Sequence, residues 1–282
     1  MSYDVLVIGG GPAGLSAAIN VRARGGKVLV VSNPLEENPL WRAEKVENYL
    51  GMPGQTGAEL LTAMHRHAQQ AGADFLTGKV LSSVQMPDAW YVSVGPDMYN
   101  ARSVVLAAGV ARGRKFPGEE ELLGRGVSYC ATCDGMLYRG RRVAVLGYSG
   151  TARKEAAFLQ EIGCTVTYFD RPQKCEIQGE GQVSAVTCEG KTVAVDGVFI
   201  LRPTMAPAEM FPDLAVENGY VVVDRRMATN LPGLFAAGDC TGGPLQVSKA
   251  AGEGLVAGQS AMAWASAPEA AGKGFPKTHN FE

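Results

Sequence analysis

Residues 4–14 constrain the fold more than any other stretch. Asp4-Val5-Leu6-Val7-Ile8 is an apolar run of strand length that enters Gly9-Gly10-Gly11-Pro12-Ala13-Gly14 directly, and an Ala-rich helical segment follows. A strand that turns this tightly into a helix needs glycine where the backbone reverses, where it approaches a ligand, and where helix and strand touch. Gly9 answers to the turn, Gly11 to the approach of a pyrophosphate and Gly14 to helix packing, while the helix N-terminus faces the anion. A second strand, Val28-Leu29-Val30-Val31, comes next in the order a βαβ dinucleotide-binding unit requires. It ends in Ser32-Asn33 where an acidic residue usually meets the ribose. Glu36 and Glu37 follow shortly, and the ribose partner stays open.

The alternation of strand and helix recurs. Ser103 to Gly109 reads as an apolar strand closed by small residues that let backbone press on a ligand. Arg142-Val143-Ala144-Val145-Leu146, the turn Gly147-Tyr148-Ser149-Gly150, a helix over Thr151 to Ile162 and a strand over Thr165 to Phe169 form a second βαβ unit. A polar stretch from Gln173 to Gln182 separates it from a strand starting at Val183. A third block holds Leu234-Phe235-Ala236-Ala237-Gly238-Asp239 and a small-residue helix over about Gln246 to Ala265. The reading is α/β, with two Rossmann-like units. At 282 residues and 46% hydrophobic, the chain is large enough for one large or two modest cores, and a net charge of -2 leaves no basic footprint for nucleic acid. No apolar run reaches membrane-spanning length and the N-terminus enters a strand at once, so a cytoplasmic protein is expected.

The chemistry is carried by Cys130-Ala131-Thr132-Cys133-Asp134-Gly135. Two cysteines at this spacing close a small reducible ring. The motif also lowers one thiol's pKa, and Asp134 is placed to move the proton that exchange requires or to cap the helix that follows. Half a zinc site is the other meaning of such a pair, but Cys164, Cys175, Cys188 and Cys240 stand singly and the histidines lie far off in sequence, so no metal is expected.

Taken together, Gly9-x-Gly11-Pro12-Ala13-Gly14, Val46-Glu47-Asn48-Tyr49, Gly126 to Gly135 and Pro232 to Asp239 resemble the low-molecular-weight thioredoxin reductase family over nearly the whole chain. The resemblance implies an FAD-binding domain formed by residues 1–112 and 228–282, with a smaller domain over 113–227, bearing the disulfide, inserted into it. It implies a homodimer with thioredoxin as partner. It assigns Gly9, Gly11, Pro12, Ala13 and Gly14 to the FAD pyrophosphate, Asn48 to the flavin, and Asp239 to the pyrophosphate and ribityl chain. Backbone N–H groups of Gln246 and Val247 are assigned to the flavin's N1/O2 edge, and Ser32, Val80, Ala107, Gly109 and Gly238 to the cofactor's surroundings. Cys133 would face the flavin and Cys130 would attack the partner.

Departures from the family pattern are concentrated in the second βαβ unit. Ser149 replaces the second glycine of its turn, Asp170-Arg171-Pro172 stands where NADPH-using members carry a His-Arg-Arg cluster, and Arg202-Pro203-Thr204-Met205-Ala206-Pro207 replaces Gly-x-x-Pro-Asn. A helix and a strand of the usual nucleotide domain are missing. The chain thus resembles a branch with shortened central domains whose characterised members draw electrons from ferredoxin, which makes ferredoxin the expected donor; a conventional NADPH-dependent reductase is the alternative. A flavoprotein oxidase or a non-catalytic flavin-binding regulator would not need the dithiol. In the C-terminal tail, His279 and Phe281 are candidates to cover the flavin.

Overall fold

The computed structural model describes residues 2–110, 115–202 and 206–267. The chain forms two compact units, Met1–Ala111 with Met205–Glu282, and Arg112–Thr204. In the first, β1 (Ser2–Ile8) turns into α1 (Pro12–Arg22), and β2 (Val28–Ser32) pairs parallel to β1 with Val5 opposite Val28. Helix α2 (Gly57–Gln70), opened by a capping box between Thr56 and Glu59, leads to β3 (Asp74–Thr77) beside β2. A meander of β4 (Val80–Gln85), β5 (Trp90–Val94) and β6 (Asp97–Leu106) follows, and β6 returns parallel to β1. Both faces of β1 and β2 are covered, which is why their sequences are almost continuously apolar. By contrast, β5 alternates, with Trp90, Val92 and Val94 buried.

In the second unit, β7 (Val127–Ser128), α3 (Ala131–Asp134), β8 (Arg142–Gly147), α4 (Ala152–Glu161) and β9 (Thr165–Asp170) lead into β10 (Cys175–Gln178), β11 (Ala185–Cys188), β12 (Lys191–Ala194) and β13 (Gly197–Leu201). The parallel sheet has the order β7-β13-β8-β9 and stops at β9; the chain then enters an antiparallel sheet, β10-β11-β12. This is the shortening anticipated between Asp170 and the next strand. Two details differ from the sequence reading. The stretch from Gln173 to Gln182 contains β10, and the strand expected at Val183 begins at Ala185. Cys175 and Cys188 are not single: antiparallel pairing sets them opposite one another, both buried, and they form a disulfide with a Cα–Cα distance of 4.2 Å. A strand of four residues carries too few alternations to stand out beside its polar neighbours.

That disulfide closes a short loop, so it removes chain entropy from the unfolded unit. We expect the double variant Cys175→Ala, Cys188→Ala to lose about 3 kcal/mol of stability. Urea unfolding of the variant against the oxidised parent measures it, and a difference below about 1 kcal/mol would mean that the antiparallel sheet needs no covalent tie.

The chain then rejoins the first unit through α5 (Pro207–Met210), β14 (Val216–Glu217), β15 (Tyr220–Val221), β16 (Leu234–Ala236) and α6 (Val247–Ser266). The return comes earlier than residue 228, the boundary the resemblance implied. Met210, Phe211, Leu214 and Val221 are buried in one core with Leu6, Val92, Val104 and Leu234, and Ser83 Oγ donates to the Met210 carbonyl at 2.7 Å. These pieces are too short to show a period, so their allegiance is set by tertiary packing. On the other face of the sheet, α6 lies on α1 with backbones nearly touching. A Cβ on Gly254 would stand 2.1 Å from the Ala13 oxygen, and one on Gly258 would stand 2.5 Å from the Ala17 oxygen. Small residues at these positions are what let the two helices approach this closely.

Candidate functional site

The first turn is built as a cradle. Gly9 has φ +114°, and a Cβ there would meet the Ala107 oxygen at 2.2 Å; on Gly14 it would meet the Gly9 oxygen at 1.9 Å. Both glycines are demanded by packing. Gly11 differs, since a Cβ there would reach only Asn38 Nδ2, at 3.1 Å. Its backbone is extended, it caps α1 with no side-chain hydrogen bond, and Pro12 occupies the first helical position with no acidic residue in that turn. The helix therefore starts with unpaired N–H groups and a positive dipole end, which suits a pyrophosphate. Ser32, at the end of β2, packs against the backbone at Gly10, where a Cβ would meet its Oγ at 2.7 Å.

The other residues assigned to the cofactor are spread over several elements of the first unit. Gly238, with φ +86°, packs on α1: a Cβ on it would lie 2.8 Å from Ala13 Cβ. Asp239 follows in the short turn Asp239–Thr241. Asn48 and Gln246, far apart in sequence, meet directly, with Asn48 Nδ2 donating to Gln246 Oε1 at 2.7 Å. Gly109 sits just beyond β6 with φ +69°. Val80 stands apart, its side chain packed in the core with Val94 and Leu106. The Gln246 N–H donates to the Pro244 carbonyl at 2.9 Å in a turn that closes on itself. Val247, Ser248 and Lys249 open α6 with N–H groups that have no intrahelical acceptor, the first such bond running from the Ala250 N–H to the Gln246 carbonyl. His279 and Phe281 lie outside the described residues.

In the second unit Cys130 and Cys133 form a disulfide, with Cα atoms 5.4 Å apart. Cys130 caps α3, and its Sγ accepts from the Cys133 N–H at 3.1 Å and lies 3.4 Å from Thr132 Oγ1. Asp134 does not cap the helical turn after it; its carboxylate accepts from Ser128 Oγ at 2.7 Å, and that same hydroxyl accepts from the Cys130 N–H at 3.1 Å. Cys133 is exposed and Cys130 half-buried, with exposed Met136 and Leu137 close behind them in the chain.

The second turn offers a ligand something quite different. The N–H groups of Tyr148 and Ser149 both donate to the Leu201 carbonyl, at 3.0 and 2.9 Å. Ser149 Oγ lies 3.1 Å from Thr151 Oγ1, which in turn donates to Glu155 at 3.0 Å, so the first turn of α4 carries a carboxylate. At the end of β9, Asp170 pairs with Arg153, whose guanidinium lies over the Tyr168 ring. Tyr148 Oη donates to the Pro172 carbonyl at 2.6 Å, and burial pushes this phenol up to about 12. Sequence inspection missed Glu155 and Tyr148; an acidic residue in the first turn of a would-be phosphate helix was the available signal.

Fold and site together define a class: a two-unit α/β protein that carries a dinucleotide-binding turn and an exchangeable disulfide. A profile for the pyridine nucleotide-disulphide oxidoreductases matches residues 3–176 and 171–254. Thioredoxin reductases of Listeria innocua and Bacillus subtilis are 34% identical over 297 residues and 33% identical over 295, each alignment covering 92% of this chain and 93% of the relative. Among solved structures, a ferredoxin-flavin thioredoxin reductase from Clostridium acetobutylicum matches with a TM-score of 0.89 at 36% identity, over 94% of this chain and 98% of that one. A thioredoxin reductase from Gloeobacter violaceus matches with a TM-score of 0.82 at 27% identity, over 99% and 98%. The chain belongs to the pyridine nucleotide-disulphide oxidoreductase family, among the thioredoxin reductase homologues, and FAD is its cofactor.

Proposed function

We propose that this protein reduces the disulfide of thioredoxin through Cys130 and Cys133, and that its electrons come from reduced ferredoxin and not from NADPH. FAD, when bound, supplies a carrier that collects electrons singly and delivers the pair that opens the Cys130–Cys133 bond. The chain's own residues do the rest. Gly9, Gly11 and Gly14 shape the turn, and the uncapped start of α1 would hold the pyrophosphate. Asn48 fixes Gln246 at the start of α6, where the Val247 N–H would be available to the flavin. Exposure alone would choose Cys133 as the attacking sulfur, but the hydrogen bonds favour Cys130. A thiolate there keeps the Cys133 N–H and gains the Thr132 hydroxyl, and charge-assisted bonds are about twice as strong as neutral ones. Cys130 attacks the partner disulfide to form a mixed disulfide. Cys133 then displaces it, restoring the intramolecular bond and leaving the partner reduced. Asp134, oriented by Ser128, takes and returns the proton.

The contrast between the two turns carries the donor assignment. Both helices start without a side-chain cap, but the first has no acid in its opening turn, whereas the second follows a turn with two N–H groups already paired and carries Glu155, with Asp170 at the end of the neighbouring strand. The likeness to the Clostridium ferredoxin-flavin enzyme supports the same reading. Energetically the route is open, since a ferredoxin near about -400 mV lies roughly 130 mV below thioredoxin, about 6 kcal/mol for two electrons. Stopped-flow reduction followed by flavin absorbance tests it. NADPH should reduce the flavin at least about 100-fold more slowly than reduced ferredoxin, the equivalent of about 2.7 kcal/mol in the barrier. Rapid reduction by NADPH would overturn the donor assignment and leave the disulfide chemistry standing.

A further inference from the structure

We propose that Lys249 and Glu253 are a positioning pair for FAD, one that holds the Gly238–Gly242 turn, and Asp239 within it, against the first turn of α1. The inference rests on the reading of that region as the cofactor site. Lys249 Nζ donates to the Gly238 carbonyl at 2.8 Å and the Gly242 carbonyl at 2.7 Å, and to Thr241 Oγ1 at 2.9 Å. It also lies 3.0 Å from Glu253 Oε2, one helical turn further along α6. That carboxylate oxygen accepts from the Gly238 N–H at 2.8 Å and from Thr241 Oγ1 at 2.9 Å. Two side chains thus tie down both ends and the middle of the turn. Their side chains are only 16% and 21% exposed, so neither charge is served mainly by water.

The turn's other ties, the Thr241 N–H and hydroxyl on the Gly238 carbonyl and Cys240 buried in the sheet core, fix its shape, while the pair on α6 fixes its two ends to that helix. Gly238 and Gly242 both have positive φ and offer no side chain, and Gly238 is wedged between Ala13 of α1 and Ala250 of α6. Gly238 therefore joins the ion pair to the dinucleotide turn by direct contact. Preorganising a binding loop raises affinity by removing the ordering cost at the moment of binding. The charges add a second effect. Without Lys249, the Glu253 carboxylate is left uncompensated one contact away from the segment that holds a dianionic pyrophosphate.

The test uses the full-length flavoprotein, with FAD release on dilution read by flavin fluorescence. Lys249→Met should weaken FAD binding about 50-fold at low salt, and Glu253→Gln about fivefold, since glutamine still accepts from the Gly238 N–H. The double variant Lys249→Met, Glu253→Gln should bind better than Lys249→Met alone, because the uncompensated charge is gone. Raising ionic strength should recover part of the Lys249→Met loss and none of the double variant's. Loss of the lysine stem's packing alone would show neither the recovery by Glu253→Gln nor the salt effect. Should Lys249→Met not fold, the neutral double variant, expected to bind about tenfold more weakly than the parent, decides the matter. Parent-like affinity in Lys249→Met or in the double variant overturns the positioning role, as does a loss unaltered by salt and by Glu253→Gln. A parent that binds no FAD would instead overturn the cofactor reading itself.

Discussion

Cys130→Ser loses at least about a thousandfold in thioredoxin reduction, because a serine hydroxyl neither ionises near neutral pH nor attacks a disulfide. Cys133→Ser is equally inactive in turnover but fails at a different point. Its Cys130 still opens the partner disulfide, and without a resolving thiol the two proteins remain covalently joined. Incubating each reduced variant with oxidised thioredoxin and weighing the products by mass spectrometry separates the two sulfurs. The adduct should form with Cys133→Ser and be absent with Cys130→Ser. The reverse pattern would exchange their roles, and with them the meaning of the Cys133 N–H and Thr132 hydroxyl at the Cys130 sulfur.

Removing the Glu119 carboxylate should be the most damaging single change to the second unit. Glu119 is fully buried, and both its oxygens are engaged. Arg202 reaches each of them, Tyr129 Oη donates at 3.0 Å and the Phe116 N–H donates at 2.9 Å. Arg202, at the end of β13, is itself only 14% exposed and has the rings of Phe116 and Tyr148 within 6 Å of its guanidinium. Glu119→Ala leaves that cation without its counter-ion, and breaking a buried pair this way costs about 3–5 kcal/mol. Glu119→Leu combined with Arg202→Met should recover most of the loss, since no charge is then stranded. Chemical unfolding followed by far-UV circular dichroism reads both; a Glu119→Ala loss under about 1 kcal/mol would show that the pair is not needed.

The same group gives the unit a pH signature. Burial pushes the Glu119 carboxyl up, but hydrogen bonds from Arg202, the Phe116 N–H and Tyr129, with the Arg202 charge, outweigh it and hold it below the ordinary value of 4.5. The folded state is thus the weaker proton binder. Its stabilisation is complete above the ordinary value and is lost as pH falls through the lowered one.

What could be read from sequence follows from how locally each feature is encoded. Gly9 to Gly14 and Cys130 to Gly135 are contiguous, and their geometry is set by a few backbone conformations, so both turns were readable residue by residue. Asn48 and Gln246 could be placed near one ligand only by likeness to a family; nothing in either neighbourhood announces a side-chain hydrogen bond between them. The Cys175–Cys188 bond and the early return of the chain at α5 depend on which short strands pair and which apolar residues share a core. Segments of two to four residues do not carry that information. The Lys249–Glu253 pair lay between these cases. An i, i+4 pair of opposite charge is visible in any helix, but only the fold shows that it faces a glycine turn and not water.

The packing of α6 on α1 also sets an order of assembly. Strand β16 adds to β6 and the glycines of α6 cover the alanine-lined face of α1, yet both are translated after the whole of the second unit. An emerging chain therefore holds a finished dinucleotide turn with one wall missing. The inserted unit, being one continuous stretch, has the lower entropic barrier to folding. Until α6 is made, the small-residue stripe of α1 lacks its cover and Asn48 lacks its Gln246 partner, so the site assigned to FAD is completed only by the last described helix.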